Sequence, residues 1–153
     1  MTDRAKAPGT TPERDVNATG QPLLFALGVS HRTAPVPLRD RLLFRDGELE
    51  AFVEDLRARG LTEEAVVLST CNRSEIYGVT RTEAARAAVE AAWSATRGVD
   101  AEELRRHGYY HEGDDAVRHL YRVIGSLDSL VLGEVQILGQ VKDAYQHAAR
   151  RGW

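Results

Sequence analysis

AVVLSTCNRSEIYGVT, residues 65–80, is the stretch on which the fold turns. Ala65 to Leu68 is a short apolar run, read as a buried strand. Ser69 to Arg73 breaks it with small polar residues, and Glu75 to Thr80 resumes as another strand. Two strands so close in sequence pair as an antiparallel, hairpin-like corner, which puts Cys71 at or near a strand end.

Upstream, Leu23 to Ser30 (LLFALGVS) is a further apolar run bounded by Pro22 and a polar cluster, hence another buried strand. His31 to Pro37 (HRTAPVP) reads as irregular, because proline removes a backbone donor and fixes its own φ. Leu49, Phe52, Val53 and Leu56 recur at helical spacing between Asp46 and Gly60, which predicts a helix over 46–59. Downstream, a helix capped by Thr82 is expected to bury Ala85, Val89, Ala92 and Trp93. A short helix over 100–106 then leads to Tyr109-Tyr110, an edge strand. Asp114 and Asp115 favour the start of another helix reaching Ile124. Its expected apolar stripe is Val117, Leu120, Tyr121 and Ile124, with His119 on the boundary. A last helix after Gly133 should turn Val135, Leu138, Val141 and Tyr145 inward and end near 150–152. The order β, α, β, β, α, β, α, α predicts an α+β fold: a ferredoxin-like sandwich whose antiparallel sheet is packed with helices, plus C-terminal helices.

The whole chain has 153 residues, 42% apolar and 28% charged, enough for one packed domain over 22–153. Residues 1–21 contain no Leu, Ile, Phe, Tyr or Trp and read as a disordered tail; without an apolar stretch they do not form a signal peptide. A net charge of −3 argues against binding driven by bulk positive charge. His31 to Arg45 nevertheless holds Arg32, Arg39, Arg41 and Arg45 against Asp40, a local +3 that is ordinarily wet surface and is also able to steer a phosphate backbone. One cysteine excludes an internal disulfide and any CxxC site, and suits a reducing, cytoplasmic setting. No run is long enough to span a membrane. Neither GxG nor GxxxxGK[ST] occurs, so no dinucleotide or nucleotide loop is expected within the chain.

Cys71 is the first candidate for chemistry. Most free cysteines are small buried hydrophobes, but Ser69, Thr70, Asn72 and Arg73 around this one are polar, and Arg73 favours thiolate. Arg73 is otherwise a solvated loop charge, or else a fork matched to a carboxylate. His119, able to titrate near neutrality, is either a half-buried helix histidine or an acid–base group. His107 and His111 are spaced i, i+4, but the strand between them makes a metal pair improbable. Asp128, Ser129, Glu134, Gln136 and Gln140 stand among apolar neighbours and either begin an ordinary amphipathic helix or line a polar pocket.

Three stretches carry a resemblance to a known family: GVSHRTAPVPLRDRLLF (28–44), LSTCNRSEIYGV (68–79) and HLYRVIGSLDSLVLGEVQILGQVKDAY (119–145). In order and spacing they resemble the N-terminal catalytic domain of glutamyl-tRNA reductase, over about 24–151. The resemblance implies a cysteine thiolate that attacks the ester of glutamyl-tRNA, giving a glutamyl thioester. NADPH then reduces this to glutamate-1-semialdehyde in tetrapyrrole (porphyrin) biosynthesis. It matches Cys71 to the nucleophile and His119 to a histidine important for activity. Thr70, Asn72, Arg73, Ser129, Glu134, Gln136 and Gln140 match the glutamate pocket.

Family members carry glycine directly before the LDS triplet, where this chain has Ser126 and places glycine one position earlier. The family also continues into an NADPH-binding domain and a helical dimerisation domain. The expectation is therefore thioester formation by this chain alone, with NADPH bound elsewhere, on a separate chain for instance, and with the homodimer's contacts lying outside it. The alternative is a non-catalytic module that binds glutamyl-tRNA or a partner protein.

Overall fold

The computed structural model describes residues 21–45, 47–82, 84–128 and 136–153. Four strands, β1 (Leu23–Ser30), β2 (Glu64–Thr70), β3 (Arg73–Thr80) and β4 (Tyr109–Glu112), form one sheet in the order β2-β3-β1-β4. Every neighbouring pair is antiparallel. That order is the one expected of a ferredoxin-like split βαβ arrangement. Between β1 and β2 lie α1 (Val36–Leu42) and α2 (Glu48–Ala58); between β3 and β4 lie α3 (Ala85–Arg97) and α4 (Ala101–His107). The chain then adds α5 (Asp114–Ile124) and α6 (Gln136–Arg151).

Alternation along the strands sorts side chains onto two faces. Phe25, Leu27, Val29, Val67 and Ile76 pack against Leu42 of α1, Phe52 and Leu56 of α2, and Val89 and Trp93 of α3. On the other face Ala26, Leu68 and Tyr77 meet Ala116 and Val123 of α5 and Ile137 of α6. The first face is an apolar core of aliphatic and aromatic side chains. The second is mixed, and it carries the polar residues of interest. Among the described residues no helix is long and apolar enough to cross a membrane.

Several local expectations are corrected. The segment 31–37 is not irregular throughout: α1 begins at Val36, with Pro35 as its N-cap and Pro37 in its first turn. Proline is tolerated there because first-turn amides have no helical acceptor to lose. Thr82 is not the cap of α3; Ala84 is, while the Thr82 amide donates to Thr80 Oγ1 at 3.1 Å. Ser69, Thr70 and Arg73 belong to the strands, leaving only Cys71 and Asn72 as the turn. The helix expected from 46 begins at Glu48, and Asp46 lies outside the described residues.

The stripes of the last two helices match expectation only in part. On α5 the buried face is Ala116, His119 and Val123, with Leu120 packed beside it as expected, whereas Val117 and Tyr121 are exposed. On α6 Ile137, Val141, Ala144 and Ala148 turn inward, whereas Leu138 and Tyr145 are exposed. The sheet surface these helices cover is partly polar. A histidine and alanines fit against it alongside Val123 and Ile137. The tail over 1–20 and Val135 lie outside the described residues.

Candidate functional site

Thr70 and Arg73 pair across the β2–β3 hairpin and close a two-residue turn. Thr70 Oγ1 accepts from the amides of Asn72 (3.3 Å) and Arg73 (3.2 Å), a side-chain turn that fixes the backbone locally. The turn is also held from outside. The His31 amide donates to the Asn72 carbonyl at 2.8 Å, and Arg39 Nε donates to the Cys71 carbonyl at 3.3 Å. Arg39 is itself anchored through Nη1 to the Ala34 carbonyl at 2.8 Å. Cys71 is exposed at the tip of this braced turn.

Behind the tip, Arg73, Glu75 and Tyr77 point to the same face of β3, as the two-residue period of a strand requires. Glu75 is fully buried, and four donors converge on its carboxylate. Arg73 Nη1 lies 2.9 Å from Oε1 and the Tyr77 hydroxyl 2.8 Å from Oε2. His119 Nε2 lies 2.8 Å from Oε1, and the Tyr109 hydroxyl donates to the same oxygen. Burial pushes the Glu75 carboxyl up, but the bonds from His119 and Tyr109 and the Arg73 charge outweigh it and hold it below the usual carboxylate range. Burial and the Glu75 charge push both the Tyr77 and Tyr109 hydroxyls far above their ordinary value, so both remain donors. Gly28 lies opposite: a Cβ there would stand 2.7 Å from Glu75 Cγ and 2.9 Å from the Ser74 carbonyl oxygen.

Arg73 is 2% exposed and gives its second terminal nitrogen to the Asp128 carbonyl at 2.8 Å. Five N–H groups per guanidinium leave it further donors beyond these two bonds. Asp128 in turn pairs its carboxylate with Arg32 and Arg122, each at 3.4 Å. The turn before it contains Ser126 at φ 58, a left-handed conformation in which glycine is the favoured residue.

A small cleft gathers the hairpin tip and the start of α6: Thr70, Cys71, Asn72 and Arg73 face Gln136 and Gln140 across it, with His31 and Ile137 beside them. Six of the residues expected from sequence to work together are therefore neighbours here. Ser129 and Glu134 lie outside the described residues. His119 does not line the cleft; it stacks near His111 (4.7 Å between ring centres) and reaches Arg73 only through Glu75. Glu75, Tyr109 and His31 were not singled out. Reading R-S-E-I-Y at period two would have put Arg73, Glu75 and Tyr77 on one face. Nothing local signalled Tyr109, which arrives from the far edge strand.

His31 is the other titratable group at the cleft. Burial, then the charges of Arg73, Arg32 and Arg39, hold its imidazole below the ordinary value of 6.5, so it is neutral at pH 7. Its Nδ1 is buried without a hydrogen-bond partner among the described residues. The same residues include no cluster of three or more metal-ligating side chains.

Comparison with known proteins gives a consistent answer. A sequence profile described as "Glutamyl-tRNAGlu reductase, N-terminal domain" matches residues 27–153. Glutamyl-tRNA reductase of Rubrobacter xylanophilus is 48% identical over 126 residues, covering 82% of this chain and 29% of the relative. That of Alkalilimnicola ehrlichii is 48% identical over 130 residues, covering 84% and 29%. The solved structure of glutamyl-tRNA reductase from Methanopyrus kandleri superposes with a TM-score of 0.67 at 30% identity, over 84% of this chain and 29% of that one. The chain thus spans a little under a third of the length of the relatives it matches.

Proposed function

This chain belongs to the family of glutamyl-tRNA reductase N-terminal domains, and we propose on that footing that it carries the acyl-transfer half of the reaction. The single observation supporting this is the exposed Cys71 at a braced hairpin tip, sharing one cleft with Arg73, Asn72, Thr70, Gln136 and Gln140.

The Cys71 thiolate attacks the ester carbonyl carbon of glutamyl-tRNA. An S–C bond forms, the bond from that carbon to the ribose oxygen breaks, and tRNA leaves with its terminal hydroxyl protonated. An aminoacyl ester is already activated and a thiolate is intrinsically nucleophilic, so positioning matters more here than a strong base. His31, beside Cys71 in the cleft, is suited to take up the thiol proton and return it to the leaving ribose oxygen. Arg73, Asn72 and the two glutamines supply donors for the glutamate carboxylate and the developing oxyanion. Arg73 is held for that work by Glu75, and His119 and Tyr109 hold Glu75. His119 is therefore a positioning residue, acting through the carboxylate. Exposed Arg32, close to the cleft, suits a nucleic-acid backbone, while half-buried Arg39 braces the turn.

NADPH, when bound, supplies the hydride that reduces the thioester to glutamate-1-semialdehyde. The residues of this chain do not fit it: the sequence has no glycine-rich phosphate loop. The chain's own share ends at the thioester. Incubation with glutamyl-tRNA followed by mass spectrometry is expected to find a glutamyl adduct on Cys71 and none in Cys71→Ser. Binding of glutamyl-tRNA without any adduct would overturn acyl transfer and leave a binding module.

A further inference from the structure

Of the six large apolar side chains left exposed among the described residues, four stand on α5 and α6: Val117 and Tyr121 one turn apart, Leu138 and Tyr145 two turns apart. Tyr121 is 71% exposed and Tyr145 64%. The two helices cross the same sheet face in opposite directions. α5 starts where the Gly113 amide donates to the Leu24 carbonyl at 2.8 Å, and it leads up to Asp128 beside Arg73. α6 starts at the Cys71 cleft and runs back toward Glu64. It turns Gln140, Asp143, His147 and Arg150 toward α2. At about 3.6 residues per turn, its other flank, with Leu138 and Tyr145, therefore turns toward α5. Leu120 and Val141 pack in one cluster beneath, so the flank of α5 with Val117 and Tyr121 faces α6 in return. The seam between the helices is an apolar furrow from which two tyrosine rings stand out. Apolar surface gathered in this way marks a contact.

We propose that this seam is an interface at which two copies of the chain associate face to face, in addition to the homodimer contacts expected outside it. A two-fold contact sets a surface against itself, so that surface must hold both knob and socket. Here the rings and the furrow share one face. The charges at its border are of both signs, Asp114 and Arg118 on α5 and Lys142 on α6. A second copy can match such a border, whereas a nucleic-acid backbone calls for positive charge alone. The four side chains expose roughly 400 Å² on each copy, and the pair with its rim covers about 1,000 Å², the lower bound for a specific contact. The association is accordingly weak and depends on concentration. Gln140, which lines the Cys71 cleft, lies on the opposite flank of α6, so both copies keep that cleft open.

Sedimentation equilibrium of the chain tests this, with reductant present so that no Cys71 disulfide contributes. The mean mass is expected to rise from that of a monomer toward twice that value between about 5 and 500 µM. Tyr121→Glu and Tyr145→Glu should each weaken association about ten-fold or more. Val36→Glu, at an exposed apolar residue on α1 and away from the seam, should leave it unchanged. Thermal melts check that all three variants fold. A monomer at every concentration, or a dimer indifferent to both tyrosine variants, would overturn the assignment. A monomer whose tyrosine ring signals shift when tRNA is added would also overturn it, and would give the face to RNA.

Discussion

Removing the Glu75 carboxylate is the sharpest test of the buried network. Glu75→Ala deletes the acceptor shared by Arg73, Tyr77, Tyr109 and His119, and it leaves the Arg73 guanidinium, 2% exposed, with only the Asp128 carbonyl. Breaking one side of a buried ion pair costs about 3–5 kcal/mol, because the remaining charge is neither hydrated nor paired. At a chain length of 153 residues, each kcal/mol lowers Tm by about 2–4 °C, so the expected drop is about 6–20 °C. Arg73→Ala should cost less, since Tyr77, Tyr109 and His119 still serve the carboxylate. The double variant should then be less destabilised than the sum of the single ones by about 0.5–3 kcal/mol, the coupling of a directly bonded pair. Urea unfolding followed by fluorescence of buried Trp93 measures all three. Single variants within 0.5 kcal/mol of the parent, or strictly additive losses, would refute the network as the organiser of this face.

Three further outcomes are expected. Ser126→Gly should leave stability within about 1 kcal/mol of the parent, because relief of the left-handed conformation is offset by loss of a buried hydroxyl; a larger shift in either direction sinks this. Gly28→Ala should destabilise by about 1–3 kcal/mol, since its Cβ would stand 2.9 Å from the Ser74 backbone oxygen as well as 2.7 Å from Glu75 Cγ, and the backbone atom cannot swing aside; circular dichroism melts decide it. Thermal stability should also fall in acid, in two stages. Burial foremost depresses His31 and His111 below 6.5 in the folded state, so the unfolded chain takes up protons first and stability declines as pH drops through 6.5. Glu75, also depressed, adds a second loss as pH falls below 4.5. A melting temperature unchanged between pH 7 and 5 would contradict the first sign, and one unchanged from pH 5 down to 2 the second.

Much of this architecture was legible because strands and turns write themselves locally. The apolar runs around STCNR and Gly60 as a helix stop are signals within a few residues of their effect. Asp100, expected as the first residue of the short helix, instead stands before it as the cap of α4, accepting from the amides of Glu102 and Glu103. The phases of α5 and α6 were legible only at Leu120 and Val141, because their partner is a sheet face made polar by Arg73, Glu75 and Tyr77. Against such a surface the buried stripe is set by who accepts the His119 hydrogen bond, and hydropathy does not encode that. Cys71, Thr70, Asn72, Arg73, Gln136 and Gln140 could be grouped from sequence because the resemblance grouped them. Glu75, the residue on which Arg73 and His119 both depend, read as one strand residue among several.

The openness of the hairpin tip has a chemical cost. Whatever allows an ester to reach the Cys71 sulfur also admits peroxide, and the chain has no second thiol with which to form a protective internal bond. Under air, two copies can join covalently only through this atom. Oxidative dimers and loss of the nucleophile should then appear together, and both should be reversed by a small-molecule reductant.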